Sequence, residues 1–345
     1  MHLLEIPRPY LIFVGDNADR LDVKTGAGIL EWRPDWCMGQ YRFGTAACDL
    51  GLPDHTPASA ASAGAATMVV GGASFGGKLP PSWEAAVADA IAAGLNVASG
   101  LHDKLNDRPH LVAAARERGV RLFDVRALPP GFVPPIASGR RRTGRRVLTV
   151  GTDCAVGKKF TALSLEREFR ARGLPATFRA TGQTGVLISG GGIAIDAIVS
   201  DFLAGTVEAL SPDAAPDHWD CIEGQGSLFH PAYAAVSLGL LHGSQPDAFV
   251  VCHDAARTHV LGYEDYPLPG FEDCIALHIA CGRRLNPAIR CAGISLNTAG
   301  MGAEERRLLL ARTEARLGLP CVDPAVTGTD AIIDRLLAMA ADTAP

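Results

Sequence analysis

Val147-Leu-Thr-Val-Gly-Thr-Asp-Cys-Ala-Val-Gly-Lys-Lys-Phe-Thr161 decides the fold. A β-branched run stops at Gly151, a small polar loop follows, and Gly157-Lys158 opens a segment with helical apolar spacing at Phe160, Leu163 and Phe169. The order is strand, loop, helix. In that order backbone N–H groups converge on an anion, and a lysine at the turn adds a mobile positive charge. The predicted guest is a phosphate or diphosphate; the plainer reading is a glycine-containing turn that serves packing alone. The spacing meets only part of the pattern G-x-x-x-x-G-K-[ST]. Thr152 stands where the first glycine is expected, with Gly151 one residue earlier, and Lys159 replaces the hydroxyl that would hold magnesium. A second ammonium there suits holding a diphosphate better than transferring a phosphoryl group, although Thr161 could still reach a metal.

On either side of this stretch, β and α patterns alternate. After it, strands are expected at 147–150, 176–180, 219–222, 248–252, 291–296 and 321–322. Helical spacing fills 158–172, about 192–210, 231–242, 272–281, 303–317 and 328–341, so a doubly wound parallel sheet carries the phosphate loop after its first strand. Before it, strands are expected at 11–14, 67–70, 96–98 and 121–125, with helices at 82–93 and 109–118. This too predicts a parallel sheet, with Gly71–Gly77 and Gly100–His102 as loops beyond its strand ends. Trp32 to Arg42, with two tryptophans and two arginines, reads as a loop that lines an anion pocket or adheres to a neighbouring domain. Leu128-Pro-Pro-Gly-Phe-Val-Pro-Pro135 marks a connection, and Arg140-Arg-Arg-Thr-Gly-Arg-Arg146 reads as a solvated linker or a phosphate attractor.

The 345 residues exceed the usual size of one core, so two α/β domains are expected: a Rossmann-like domain over 1–140 and a P-loop-like domain over 141–345. With 48% hydrophobic and 20% charged residues the composition is that of a soluble globular protein. The formal charge of −5 argues against a nucleic-acid partner, so anionic substrates must be met by local basic groups. Nine cysteines without a C-x-x-C pair fit buried thiols in a reducing cytoplasm rather than a disulfide framework or a zinc site. No run approaches the ~18 apolar residues of a membrane span, and the first 14 residues lack a secretory pattern, so a cytoplasmic protein is expected.

Candidate site residues cluster at strand ends. Arg179-Ala-Thr-Gly-Gln-Thr-Gly185 and Ser189-Gly-Gly-Gly192 read as polar loops rich in backbone donors, with Gln183 and Thr184 as substrate-binding candidates. Asp196 and Asp201 fall on the helix expected next, where solvated or capping roles are the ordinary ones. Glu223-Gly-Gln-Gly-Ser227 delivers a carboxylate at a strand end, either as a base or as the ion-pair partner of Lys158 or Lys159. Gln225 can orient substrate, and Asp153 is a further catalytic candidate, whereas His230 before Pro231 reads as a turn residue. Cys252-His-Asp-Ala-Ala-Arg-Thr-His259 offers His253 and Arg257, the latter suited to clamping a carboxylate, with no convincing metal pattern. Asn297 either reads an adenine edge or closes a turn.

The phosphate loop and Ile294-Ser-Leu-Asn297 resemble the dethiobiotin synthetase-like nucleotide-binding fold. More closely, the run from Gly151 through Arg179–Gly185, Ser189–Gly192, Glu223-Gly-Gln-Gly-Ser-Leu-Phe-His-Pro231 and Leu241-His-Gly-Ser-Gln-Pro-Asp247 resembles the DgcN family of bacterial N-acetyltransferases, over nearly the whole chain. That resemblance implies acetyl transfer from acetyl-CoA to a D-amino acid, D-glutamate first, in D-amino acid catabolism. It implies a phosphate cradle of Gly151, Thr152, Gly157, Lys158 and Lys159 with Asn297 at the adenine, and a carboxylate clamp by Arg179 or Arg257. Acetyl-CoA is the expected co-substrate, no metal is expected, and a homo-oligomer is. The competing class is an ATP- and magnesium-dependent kinase or ligase acting on a small carboxylate. A non-catalytic nucleotide sensor is disfavoured by the Glu, Gln, His and Arg side chains gathered at strand ends.

Overall fold

Continuous apolar runs make strands that are buried on both faces, and such strands pair in parallel beneath helices. The structure, a computed structural model, describes residues 5–20, 22–128 and 131–342. Pro129 and Pro130 of the expected proline-rich connection lie outside the described residues. The chain forms two compact α/β units. One runs up to Phe132 and includes Gly182–Ala197; the other comprises Val133–Thr181 and everything from Ile198 onward. A single cut near residue 140 does not divide them, because Gly182–Ala197 are counted with the first unit.

In the first unit, β1 (Tyr10–Gly15), β2 (Cys37–Arg42), β3 (Thr67–Val70), β4 (Asn96–Ser99) and β5 (Leu122–Asp124) form one parallel sheet in the order β2-β1-β3-β4-β5. The chain leaves β1 in one direction and returns to its other side, which makes the carboxyl end of β1 a switch point. The helices are α1 (Lys24–Trp32), α2 (Pro57–Ser62), α3 (Pro81–Ala92) and α4 (Pro109–Arg118). The last three begin on proline, whose fixed φ suits a first helical turn. Leu11, Phe13, Met68, Val70, Trp83, Val87 and Ile91 share the core, with Phe13 edge-on to Trp83 at 5.2 Å. Each such side chain contributes about 1.5–3 kcal/mol by burial.

The second unit takes the order β6 (Arg145–Gly151), α5 (Lys158–Ala171) and β7 (Ala176–Arg179). The chain then forms α6 (Gln183–Ser189), which belongs to the first unit, and continues with α7 (Ser200–Leu210), β8 (Trp219–Ile222), α8 (Ala234–Ser244) and β9 (Ala248–Asp254). A hairpin of β10 (His259–Val260) and β11 (Tyr263–Pro267) follows. The unit ends with α9 (Phe271–Gly282), β12 (Arg290–Asn297), α10 (Ala303–Leu317), β13 (Cys321–Val322) and α11 (Asp330–Ala341). Its six parallel strands run β13-β12-β9-β6-β8-β7. Phe169 of α5 stacks on Trp219 of β8 with ring centroids 5.0 Å apart, sealing the helix to the sheet. The strand β6 is central, so its carboxyl end opens between those of β8 and β9, where a doubly wound sheet holds its ligand.

Several local expectations change. Trp32–Arg42 is no loop: Trp32 ends α1, Pro34–Trp36 make a short 3-10 turn, and β2 is an edge strand. The helix expected from about 192 begins at Ser200, Asp196 sits in a separate 3-10 turn, and the loop expected to run through Gly185 contains the start of α6. The basic run is not a solvated linker throughout, because Arg142 and Arg146 are buried among carbonyl groups. No helix among the described residues is long and apolar enough to cross a membrane.

Candidate active site

The strand β6 delivers Gly151, and α5 begins at Lys158 with Gly157 at its N-cap in a left-handed conformation, φ 95°. Ala155 also has a positive φ of 52°, so the loop turns sharply twice before the helix, and no side chain caps its N-terminus. Lys158 is buried, and its ammonium folds back to donate to the Asp153 carbonyl at 2.7 Å. Burial pushes its pKa down, partly offset by the nearby thiols and Asp153. An ammonium has three donors, so it can accept an anion without surrendering a salt bridge. Thr161 does not offer its hydroxyl outward: it donates to the Gly157 carbonyl at 3.1 Å and shares a hydrogen bond with Ser295 Oγ at 2.8 Å.

At the ends of β7 and β8, Glu223 is buried and accepts the Thr181 N–H at 2.9 Å. The Thr181 hydroxyl donates to the Glu223 carbonyl at 2.6 Å and accepts from Gln225 Nε2 at 3.3 Å. Gly224 is locked behind them. Its N–H donates to Thr149 Oγ1 at 3.0 Å, and a Cβ in its place would lie 1.7 Å from the Thr149 carbonyl oxygen and 3.0 Å from Cδ of Lys158. Glu223 and Gln225 are thereby fixed beside the lysine stem of the loop.

At the end of β9, His253 Nδ1 meets Thr152 Oγ1 at 2.9 Å and the ring packs edge-on to Phe271, with burial pushing its pKa down. Arg257 donates from Nη1 to Asp153 Oδ2 at 2.9 Å and to the Cys154 carbonyl at 2.6 Å. The same carboxylate, fully buried, accepts the N–H groups of Cys154 at 2.7 Å and Leu261 at 2.8 Å. Asp153 is therefore a staple of the loop, and Arg257, expected at a substrate carboxylate, is its counter-ion. Arg179 is likewise engaged within the fold, donating to the buried Asp220 at 2.8 Å. A ring nitrogen of His230, Cys154 Sγ and an Asp153 oxygen lie within 4.8 Å of one another. Arg257 already neutralises that carboxylate, which makes the group a poor cation site.

Asn297, at the end of β12, accepts the Ala299 N–H at 3.2 Å and reaches Asp254 at 3.4 Å. It also lines a cavity of about 250 Å³ together with Val156, Gly157, Phe160, Leu296 and Pro324. This mostly apolar cavity abuts the start of α5 and suits a flat heterocycle. Gln183 and Thr184 lie in α6 of the first unit, Gln183 against Gly100 and Thr184 Oγ1 3.4 Å from Thr25 Oγ1. Lys159, next to Lys158 on the first turn of α5, is partly buried. Sequence reasoning passed over Thr149, Thr181 and Leu261. Their contribution is a hydroxyl or N–H placed by pairing between distant strands and loops, for which one chain position carries no signal.

Comparisons place this geometry in a family. The DUF1611_C P-loop domain, described as a domain of unknown function, matches residues 135–333, and the DUF1611_N Rossmann-like domain matches 42–128. A D-glutamate N-acetyltransferase of Tritonibacter scottomollicae is 46% identical over 334 residues, covering 97% of this chain and 100% of the relative. One from a Pseudoalteromonas species is 44% identical over 333 residues, covering 96% and 100%. The crystal structure of a DUF1611 family protein from Anabaena variabilis has a TM-score of 0.84 at 32% identity, covering 96% of this chain and 100% of that one. The chain belongs to the DUF1611 family, with an N-terminal Rossmann-like domain and a C-terminal P-loop domain.

Proposed function

We propose that this protein is an N-acetyltransferase that moves the acetyl group of acetyl-CoA to the amino group of D-glutamate. The observation that carries the reading is full-length identity of 46% and 44% to two proteins named D-glutamate N-acetyltransferase. The second unit supports it with a phosphate loop whose buried lysine has donors to spare, beside an apolar cavity for adenine. Coenzyme A needs such a cradle for its phosphates and no phosphoryl transfer. Lys159 and the committed hydroxyl of Thr161 stand where a nucleotide hydrolase would present a magnesium ligand.

In this mechanism Lys158 and Lys159 hold coenzyme A phosphates, and Asn297 faces the base. Glu223 takes a proton from the substrate ammonium, and Gln225 orients the amine. The freed nitrogen attacks the thioester carbonyl and the tetrahedral adduct collapses. The C–S bond breaks, and the departing thiolate takes the proton that the nitrogen loses. Arg179 uses Nε for Asp220 and Arg257 uses Nη1 for Asp153 and the Cys154 carbonyl, and the other N–H groups of these guanidiniums are the donors proposed for the substrate carboxylates. Nine free thiols fit the expected cytoplasmic setting, and a homo-oligomer remains part of the proposal.

Thiol release from acetyl-CoA, followed with D- and L-amino acids in chelator and without nucleotide, tests the reading. Release that depends on D-glutamate is expected. Magnesium-dependent ATP consumption on a carboxylate panel, with no thiol release, would assign the chain to the kinase or ligase class instead. Near-normal turnover of Glu223→Gln across pH would remove Glu223 from the role of base.

A further inference from the structure

The hairpin of β10 and β11 has no part in the phosphate or adenine contacts, yet it is tied to the phosphate loop. The Leu261 N–H donates to Asp153 Oδ2 at 2.8 Å, and His230 reaches the same carboxylate and Cys154 within 4.8 Å. From His230 a row of rings leads outward. Tyr233 lies over it at 4.5 Å, Tyr263 stands edge-on to it at 5.2 Å, and Tyr266 stands edge-on to Tyr263 at 5.9 Å. The inner ring is buried, while Tyr233, Leu261 and Tyr266 are 53%, 52% and 52% exposed. Tyr233 and Tyr266 are the exposed ends of one row of touching rings, and exposed aromatic surface joined in that way is uncommon without an occupant.

We propose that this aromatic row is the seat of the pantetheine arm of coenzyme A, an inference that rests on the acetyl-CoA reading above. Three observations select the arm. The row starts at the phosphate loop, where an arm attached to a bound diphosphate must start. It belongs partly to the loop after β8 that carries Glu223 and Gln225, so an arm lying on it stays beside the groups assigned to the amine. The hairpin also carries the exposed acids Glu264 and Asp265, which repel phosphates and a dicarboxylate substrate but tolerate an uncharged chain. Tyrosine faces cover the methyl and methylene groups of such a chain, and their hydroxyls can meet its two amides.

The test compares coenzyme A with 3′-phosphoadenosine 5′-diphosphate, which keeps the base and phosphates and lacks the arm. Both are titrated into wild type, Tyr233→Ala and Tyr266→Ala, positions exposed enough for truncation to spare the fold. The expected result is coenzyme A affinity weakened about tenfold in each variant, with the armless fragment unchanged. Equal affinities for coenzyme A in all three proteins, or equal weakening of both ligands, would overturn the assignment. A variant that changes the mass of the protein in solution and leaves coenzyme A affinity intact would mark the row as an interface between copies and also overturn it. If wild type binds neither ligand and releases no thiol, the acetyl-CoA reading itself fails, and the inference with it.

Discussion

Buried cations lie at both ends of β6, and they are treated in opposite ways. At the amino end, Arg142 donates from Nη1 to the carbonyls of Glu208 at 2.8 Å and Ser211, and from Nη2 to those of Gly243 at 2.6 Å and Ser244 at 3.0 Å. These carbonyls close α7 and α8, the negative ends of both helices. Arg146 is similarly enclosed by Ser211 Oγ and the carbonyls of Thr143 and Pro212. Burial lowers the pKa of Arg142 to about 10, with Arg146 adding to the effect. At the carboxyl end Lys158 is as deeply buried and has one hydrogen bond, to the Asp153 carbonyl. A buried cation with four hydrogen bonds to carbonyls, as Arg142 has from Nη1 and Nη2 with only its Nε left without a partner, holds the fold together. One with donors to spare costs stability and is kept for a ligand.

The largest effect is expected of Arg142→Met. It leaves carbonyls at two helix ends without a partner and is expected to lower stability by about 3–5 kcal/mol in denaturant titration. An unchanged midpoint would show that the arginine is dispensable. Next comes Gly224→Ala. Its Cβ meets the Thr149 carbonyl at 1.7 Å, so the Glu223 loop must shift, and turnover is expected to fall by about 100-fold.

Lys158→Met should have the opposite sign to Arg142→Met. The ligand-free variant is expected to be more stable than wild type by about 1–2 kcal/mol at neutral pH, while losing activity. The pH dependence follows from the lowered pKa of Lys158. Between its folded value and the ordinary 10.5, the unfolded chain binds more protons than the folded one, so wild-type stability rises with pH across that window. The variant loses this rise, which denaturant midpoints measured over that range will show. The smallest effect belongs to Arg140→Ala. Both it and its partner Asp213 are exposed, and no change in the thermal midpoint beyond experimental error is expected.

Much of the architecture is legible because parallel strands buried on both faces read as unbroken apolar runs. Thr67–Val70 falls on such a run, Ala248–Asp254 opens on one, and Pro109–Arg118 starts at its proline. The β2 strand escapes because Cys37-Met-Gly-Gln-Tyr-Arg42 is an edge strand with buried and half-buried positions mixed and no run to see. Glycines on both sides disguise α6, whose Val186, Leu187 and Ile188 are buried nonetheless. The hairpin is hidden by polar, exposed residues. For the site, the sequence displays charges and not their partners. Arg257 looks like a free clamp until the fold brings Asp153, 104 residues away in the chain, to 2.9 Å. Arg142 and Lys158 are equally basic on paper, and only the carbonyls around each separate their roles.

The measurement that bears most directly on the account is calorimetric titration of coenzyme A, in chelator, into wild type and Lys158→Met. Tight metal-independent binding to wild type and a loss of about 2–5 kcal/mol in the variant are expected, because the phosphates lose a buried charged partner. Equal affinity in the two proteins, or binding that appears only when magnesium is added, would contradict the assignment of this loop to coenzyme A.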